Sequence, residues 1–411
     1  MIELLHILTN REAFYRFRPF IKDHVLPKES KLIINGMDEY YSNNPTLTDI
    51  DIDTFETWFL VLKHSTLKPD VVTIYQEVFK NVKSYTGGTA TQEEIIETFI
   101  QRDYATRLAD TAMRIAEGES GVVLTECQDI LDNYTTESKR ATTDDGFVED
   151  DIHELIKSAG AGLDWRLNAL NKSLGPLRKG DLIIIGKLPE TGGTAFAVSE
   201  CTHMLAQLQP EQNVLYFGNE ETGFALKRRF ISSLINRNWK YVEANPVKCA
   251  DEYKKLGGDR ILIKPCHGKS LRQLENIIKR NNAGLIVFDQ LWKMPSHGKA
   301  TSDVQRITDL FVKAREMAAN YAPVLAIHQA DGTAFESMYI GMEQLYMSRI
   351  GIQGEADAIV TIGISKDAGN ENTRYINIPK NKLPGGHLSE ERFRHGKFEV
   401  QILKETSRFK D

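Results

Sequence analysis

From Gly180 to the end of the chain, short apolar runs alternate with helix-like stretches, and no other feature of the sequence narrows the choice of fold so far. The runs are Leu182–Ile185, Val214–Phe217, Ile261–Ile263, Leu285–Phe288, Val324–Ile327 and Ala358–Ile364. Runs this short and this apolar read as strands buried on both faces. Strands separated by helices pair in parallel, because the helix carries the chain back to the end at which the previous strand began. The expectation is an α/β domain whose mainly parallel sheet is covered by helices on both sides. Its ligand site should lie beyond the carboxyl ends of the strands.

Residues at those ends carry chemistry. After the first run the chain reads Gly186-Lys187-Leu188-Pro189-Glu190-Thr191-Gly192-Gly193-Thr194 and enters an apolar helical stretch. A strand, a Gly-containing turn and a helix make the setting of a phosphate-binding loop, where backbone N–H groups and a helix N-terminus cradle phosphates. Lys187–Thr194 fits the pattern G-x-x-x-x-G-K-[ST] except that Lys187 stands where a small residue is expected and Gly193 where Lys is expected. Thr194 is placed for a hydroxyl on Mg²⁺. Glu220, just past Val214–Phe217, is placed to orient or deprotonate water attacking a γ-phosphate. Asp289 closes Leu285–Phe288 in the Walker B manner, about 100 residues after the loop, with a carboxylate for the Mg²⁺ shell. Gln329 ends the run Val324–Ile327-His328 as a polar amide suited to sensing a γ-phosphate, whereas His328 reads equally well as a hydrogen-bonded strand-end histidine.

Residues 1–132 read as a small all-α domain. Thr54–His64, Val71–Val82 and Gln101–Gly118 are helical, the last with Tyr104, Leu108, Ala112 and Ile115 on one face. Residues 133–161 read as a linker, polar from Asn133 to Val148. Within it, Asp150–Ala159 carries an apolar stripe of Ile152, Leu155 and Ile156 that must be covered, by its own domain or by a neighbouring subunit. Residues 162–411 form the α/β domain.

Composition sets bounds. With 41% hydrophobic and 26% charged residues the chain is of ordinary globular type, and its net charge of −6 excludes coating DNA by bulk electrostatics, leaving only local basic patches. Cys127, Cys201, Cys249 and Cys266 form no C-x-x-C pair, which excludes a zinc ribbon and suits free thiols in a reducing cytoplasm. No apolar run reaches the roughly 18 residues of a membrane span, and no signal-peptide pattern opens the sequence. The expected location is cytoplasmic, in a host cell if the chain is phage-encoded.

Read in order, these motifs resemble one family. Gly162-Leu-Asp164-Trp-Arg-Leu-Asn-Ala-Leu170 and Leu177-Arg-Lys-Gly180-Asp181 lead in. Asn219-Glu220-Glu221, Asp289-Gln290-Leu291, Gln353-Gly354-Glu355-Ala356-Asp357 and Lys380-Asn381-Lys382-Leu383-Pro384-Gly385 follow. Over residues 160–390 the chain resembles the motor domain of DnaB-family hexameric replicative DNA helicases, which are RecA-like P-loop NTPases. Pro-Glu-Thr-Gly and Asp-Gln-Leu resemble the phage branch. The resemblance implies a homo-hexameric ring that binds ATP (or another NTP) with Mg²⁺ at each subunit interface. It implies single-stranded DNA through the centre, 5′-to-3′ movement in phage replication, and a primase and a helicase loader as partners. It also implies a nucleotide cradle of Lys187, Pro189, Glu190, Thr191, Gly192, Gly193 and Thr194, with Thr194 and Asp289 for the metal. Glu220 is the implied catalytic carboxylate and Gln329 the sensor. Lys380 and Lys382 are the basic pair reaching a neighbour's ATP, Lys382 standing where an arginine finger is common. Lys293, Arg349 and Gly351, in the loops after Walker B and after the sensor strand, are the implied DNA contacts.

Gly193 leaves three readings open. The chain is an ATPase-impaired helicase, or Lys187 swings into the phosphate site from the other end of the loop, or the subunit is a structural ring member that does not hydrolyse ATP. A RecA-type recombinase is the alternative that shares the core but forms filaments.

Overall fold

The computed structural model describes residues 1–87, 90–118, 123–142, 152, 161–295, 302–347, 351–383, 385 and 393–411. It divides into two compact units, Met1–Glu149 and Asp150–Asp411.

The first unit is helical around one apolar core. Its longest helix, Gln92–Ala116, begins nine residues before the expected start at Gln101, at a capping box in which Thr91 and Glu94 satisfy each other's backbone N–H groups. Its apolar face is also shorter than expected: Tyr104 is buried and Leu108 half-buried, but Ala112 and Ile115 are exposed. Phe55, Phe59, Tyr75 and Phe79 are buried against one another, with ring centroids 5.3–5.8 Å apart around Phe59. Each such ring contributes roughly 1.5–3 kcal/mol by leaving water. The linker expected from Asn133 begins later, because the helix Val123–Thr142 runs ten residues into it. Polar residues hold that stretch in place: Tyr104 donates to Glu137 (2.6 Å), and Tyr134 and Ser138 both donate to Glu97. Hydrogen bonding, rather than an apolar stripe, makes this polar segment a helix. Apart from Ile152, the proposed docking stretch Asp150–Ala159 lies outside the described residues.

The second unit is built on a nine-stranded sheet of order β3-β2-β4-β5-β1-β6-β7-β8-β9. The expected strands are β1 (Leu182–Lys187), β2 (Asn213–Gly218), β3 (Ile261–Pro265), β4 (Ala283–Asp289), β5 (Val324–Gln329) and β6 (Ala358–Gly363), all paired in parallel. Successive residues point to opposite faces. Ile183, Ile185, Val214, Tyr216, Leu285 and Val287 pack under the helices Gly193–Met204 and Gly223–Ile235. Leu182, Ile184, Leu215, Phe217, Ile286 and Phe288 pack under Leu271–Arg280 and Asp303–Asn320. Three antiparallel strands, β7 (Thr373–Asn381), β8 (Lys397–Leu403) and β9 (Arg408–Lys410), extend the sheet beyond β6. Among the described residues, no helix is long and apolar enough to cross a membrane.

Candidate active site

β1, β2, β4 and β5 all deliver their carboxyl ends to one edge of the sheet, which brings Lys187, Glu220, Asp289 and Gln329 together. Lys187 is the last residue of β1 and stands opposite Gln329 of β5 in the parallel register. The following loop turns through two left-handed residues, Glu190 (φ 61°) and Gly192 (φ 98°), and Gly192 caps the helix Gly193–Met204. A Cβ at Gly192 would also meet Ile402 Cδ1 at 2.8 Å. Pro189 and Glu190 are exposed and Thr191 is buried, its hydroxyl donating to the Leu188 carbonyl at 2.9 Å. Arg374 of β7 pins the loop from below, Nε donating to the Thr191 carbonyl at 2.6 Å. A turn at a helix N-terminus is a setting in which backbone N–H groups can meet phosphates.

The two unorthodox residues of the loop fit each other. A Cβ built on Gly193 would meet Lys187 Cγ at 2.7 Å, Cδ at 3.1 Å and Cε at 3.3 Å. The Lys187 side chain therefore lies across the face of Gly193, in space any larger residue would occupy. Its ammonium ends 3.7 Å from Glu220 Oε2, with only 7% of the side chain exposed.

Asp289 is buried. Its Oδ2 accepts from Thr194 Oγ1 (3.0 Å) and from Tyr216 OH (2.8 Å), while Oδ1 has no hydrogen-bond partner among the described residues. Burial raises its carboxyl above the usual carboxylate range, against the hydrogen bonds from Tyr216 and Thr194 and the charge of Lys187. A hydroxyl beside a carboxylate with a spare buried oxygen fits Mg²⁺ completed by phosphate and water oxygens. Among the described residues no cluster of three or more His, Cys, Asp or Glu could hold a metal alone, and a phosphate-bound Mg²⁺ needs none.

The neighbouring carboxylates have separate fates. Glu221 is held bidentate by Arg229, both contacts 2.8 Å, whereas Glu220 faces Lys187 and accepts from the Gln290 amide. His328 is structural: Nε2 donates to the Tyr346 carbonyl at 2.7 Å, and burial pushes its imidazole down to about 4, so the ring is neutral.

Lys380 and Lys382 do not join this cluster. Lys380 pairs with Ile359 and Asn381 with Ala358 at the amino end of β6, while Lys187 pairs with Ile362 at its carboxyl end. Lys380 Nζ donates to the Gln353 carbonyl, and burial, with the charge of Lys382 next, lowers it to about 8. Lys382 is exposed. Lys293 is exposed beyond β4, its Nζ 5.5 Å from the Trp292 ring centroid. Gly351 starts the helix Gly351–Glu355, and its hydrogen side chain is required there, since a Cβ would meet Thr308 Oγ1 at 2.5 Å. Arg349 lies outside the described residues.

Arg374, Tyr216 and Gln290 escaped the sequence reading as site residues. A tyrosine inside an aliphatic run was the one signal of a polar partner for Asp289.

Residues 162–335 match the family model of the DnaB-like helicase C terminal domain. The chain is similar to the replicative DNA helicase DnaB of Pasteurella multocida (strain Pm70), 26% identical over 240 residues, covering 51% of each chain. It is also similar to a probable replicative DNA helicase of Trieres chinensis, 26% identical over 243 residues, covering 55% of this chain and 53% of that one. The chain thus spans about half the length of the curated relatives it matches. Its fold is shared by a solved DnaB-like replicative helicase described together with its interactions with primase, with a TM-score of 0.60, 17% identity, and coverage of 99% and 98%. It is shared also by a second solved structure, an isolated ATPase domain, with a TM-score of 0.53, 18% identity, and coverage of 63% and 95%. Residues 162–335 are thus similar to the DnaB-like helicase C terminal domain, and the chain shares the fold of a solved DnaB-like replicative helicase.

Proposed function

We propose that the protein is a replicative DNA helicase that hydrolyses ATP to move along single-stranded DNA, and that Lys187 takes the place of the missing P-loop lysine. The observation that carries this reading is the fit of Lys187 over Gly193, which sets its ammonium between the helix N-terminus and Glu220. A lysine so buried needs anionic partners to justify leaving water; Glu220 is one, and a triphosphate on the loop would supply a second. In the reaction the loop N–H groups and Lys187 bind the phosphates, and Glu220 orients water and takes its proton. Thr194 and Asp289 would hold Mg²⁺, which would supply charge neutralisation on the phosphates. Gln329, beside Lys187, senses the γ-phosphate.

Lys380 and Lys382 sit at the opposite end of the sheet from the chain's own loop, which suits a role at a second copy's nucleotide in a six-membered ring. Lys293, Arg349 and Gly351 are the residues assigned to DNA, with phosphate contacts that do not read sequence. Movement is 5′ to 3′ during phage replication in a host cytoplasm, with a primase and a loader as partners. The test is DNA-stimulated ATP hydrolysis by the wild type beside Lys187→Ala. Turnover that vanishes in the variant supports the reading, and turnover unchanged in the variant overturns it. No turnover in the wild type would make the chain a structural ring subunit instead.

A further inference from the structure

Gln290 follows Asp289 at the point where β4 leaves the sheet. Its backbone is left-handed, φ 63°, a region in which side chains other than Asn and Asp are rarely found. Its side chain is buried. The amide nitrogen donates to Glu220 Oε2, and the amide oxygen is buried with no hydrogen-bond partner among the described residues. Flipping the amide would set its oxygen against a carboxylate oxygen, so electrostatics fixes the orientation. A disfavoured backbone and an unmatched buried acceptor at one residue both work against stability, and such costs gather where function imposes them.

We infer that Gln290 is a positioning residue for hydrolysis, holding Glu220 by one oxygen so that the other takes the proton of the attacking water. The inference rests on Glu220 being the base proposed above. Glu220 is the looser of the two site carboxylates, with 41% of its side chain exposed against 1% of Asp289. Left alone it would rotate among solvated rotamers. The Gln290 Nε2 hydrogen bond and the Lys187 ammonium, 3.7 Å away as an ion pair, both bear on Oε2, which restricts that rotation and leaves Oε1 as the acceptor. In the step itself the water oxygen bonds to the γ-phosphorus and one water proton passes to Oε1. The bond from the γ-phosphorus to the β-bridging oxygen breaks and ADP leaves with that electron pair. Gln290 exchanges no proton. Its position explains why a residue so poorly suited to a left-handed backbone stands beside the Walker B aspartate.

The experiment is steady-state hydrolysis of Mg-ATP by the full chain, with single-stranded DNA, for wild type, Q290G, E220Q and E220Q/Q290G. Glycine takes the left-handed backbone without strain, so Q290G removes the amide while the fold keeps its melting temperature. The expected kcat of Q290G is about 10- to 100-fold below wild type, the worth of a hydrogen bond to a charged group, with KM for ATP unchanged. The double variant should turn over no more slowly than E220Q, because the amide acts only through Glu220. Full turnover by Q290G, a loss carried by KM, or a further loss on top of E220Q would each overturn the inference alone. A wild type without turnover would remove the proposed hydrolase and this inference together.

Discussion

Exchanging the two residues that Lys187 and Gly193 occupy gives the sharpest account of the loop. Gly193 has an ordinary helical backbone, so Gly193→Lys meets no torsional barrier; what it meets is Lys187. The contact at 2.7 Å is with Cγ, only two bonds from the backbone of a strand paired on both sides, so it cannot retreat as the tip of a side chain could. Overpacking of this kind costs about 1–3 kcal/mol, and each kcal/mol lowers the melting temperature of a domain this size by roughly 2–4 °C. Lys187→Ala removes the obstacle and the charge together, so its turnover should fall by at least about 10²- to 10³-fold. The double variant K187A/G193K restores a lysine from the helix side with room to lie down. It should recover turnover to within about tenfold of wild type and cancel the destabilisation, a coupling of about 1–3 kcal/mol. Thermal melts and DNA-stimulated ATP hydrolysis on all four proteins measure both quantities. If G193K melts at the wild-type temperature, or the double variant gains nothing over K187A, the complementarity of the pair is not what organises this loop.

Three further expectations follow from contacts at and around the site. Glu220→Gln should lower turnover by about 10²- to 10⁴-fold while retaining nucleotide binding, whereas Glu221→Gln, whose carboxylate serves Arg229, should change kcat by only a few-fold; paired rate and binding measurements separate the two. Arg374→Met removes the donor that pins the Thr191 carbonyl and should weaken equilibrium binding of ATP about tenfold, as the loss of a charged hydrogen bond predicts. Glu200, fully buried beneath the backbone N–H of Arg166, is pushed by desolvation from 4.5 up to about 8. It is protonated in the folded protein over a range where the unfolded chain would ionise it. Its contribution is complete below about 4.5 and is lost as pH rises to about 8, at roughly 1.4 kcal/mol per pH unit. Glu200→Gln should flatten the decline in thermal stability across that window; an unchanged pH profile would count against a protonated Glu200.

Six strands were legible because each is a short, mainly apolar run with helices on either side, and their ends were legible as a candidate site because Glu220, Asp289 and Gln329 are polar residues at or just beyond the ends of such runs. β7 and β8 were not. β7 mixes Arg374, Asn377, Pro379 and Lys380 among its apolar residues, and β8 alternates in and out as an edge-side strand does. Pairing of β7 with β6 and of β8 with β7, not local composition, makes them strands. The helix running to Thr142 escaped for a related reason: its stabilising contacts to Glu97 come from some forty residues upstream. Within the site, Gln290 was visible as part of a motif, yet only its left-handed backbone and its bond to Glu220 reveal what it is doing there. Arg374 is more than 180 residues from the loop it holds, a distance no local pattern spans.

A lysine that starts from a strand rather than from a helix has a consequence for how such proteins are found. In the usual loop the cation rides on the first turn of the helix, so its place is tied to the length and shape of the glycine turn. Lys187 is rooted between β5 and β6, and its reach across Gly193 is set by the sheet. Residues could be added to or taken from Leu188–Gly192 without shifting the point from which the charge departs. A search that counts alpha carbons along the turn will pass over chains of this kind, whereas one that asks where the terminal nitrogen arrives will not.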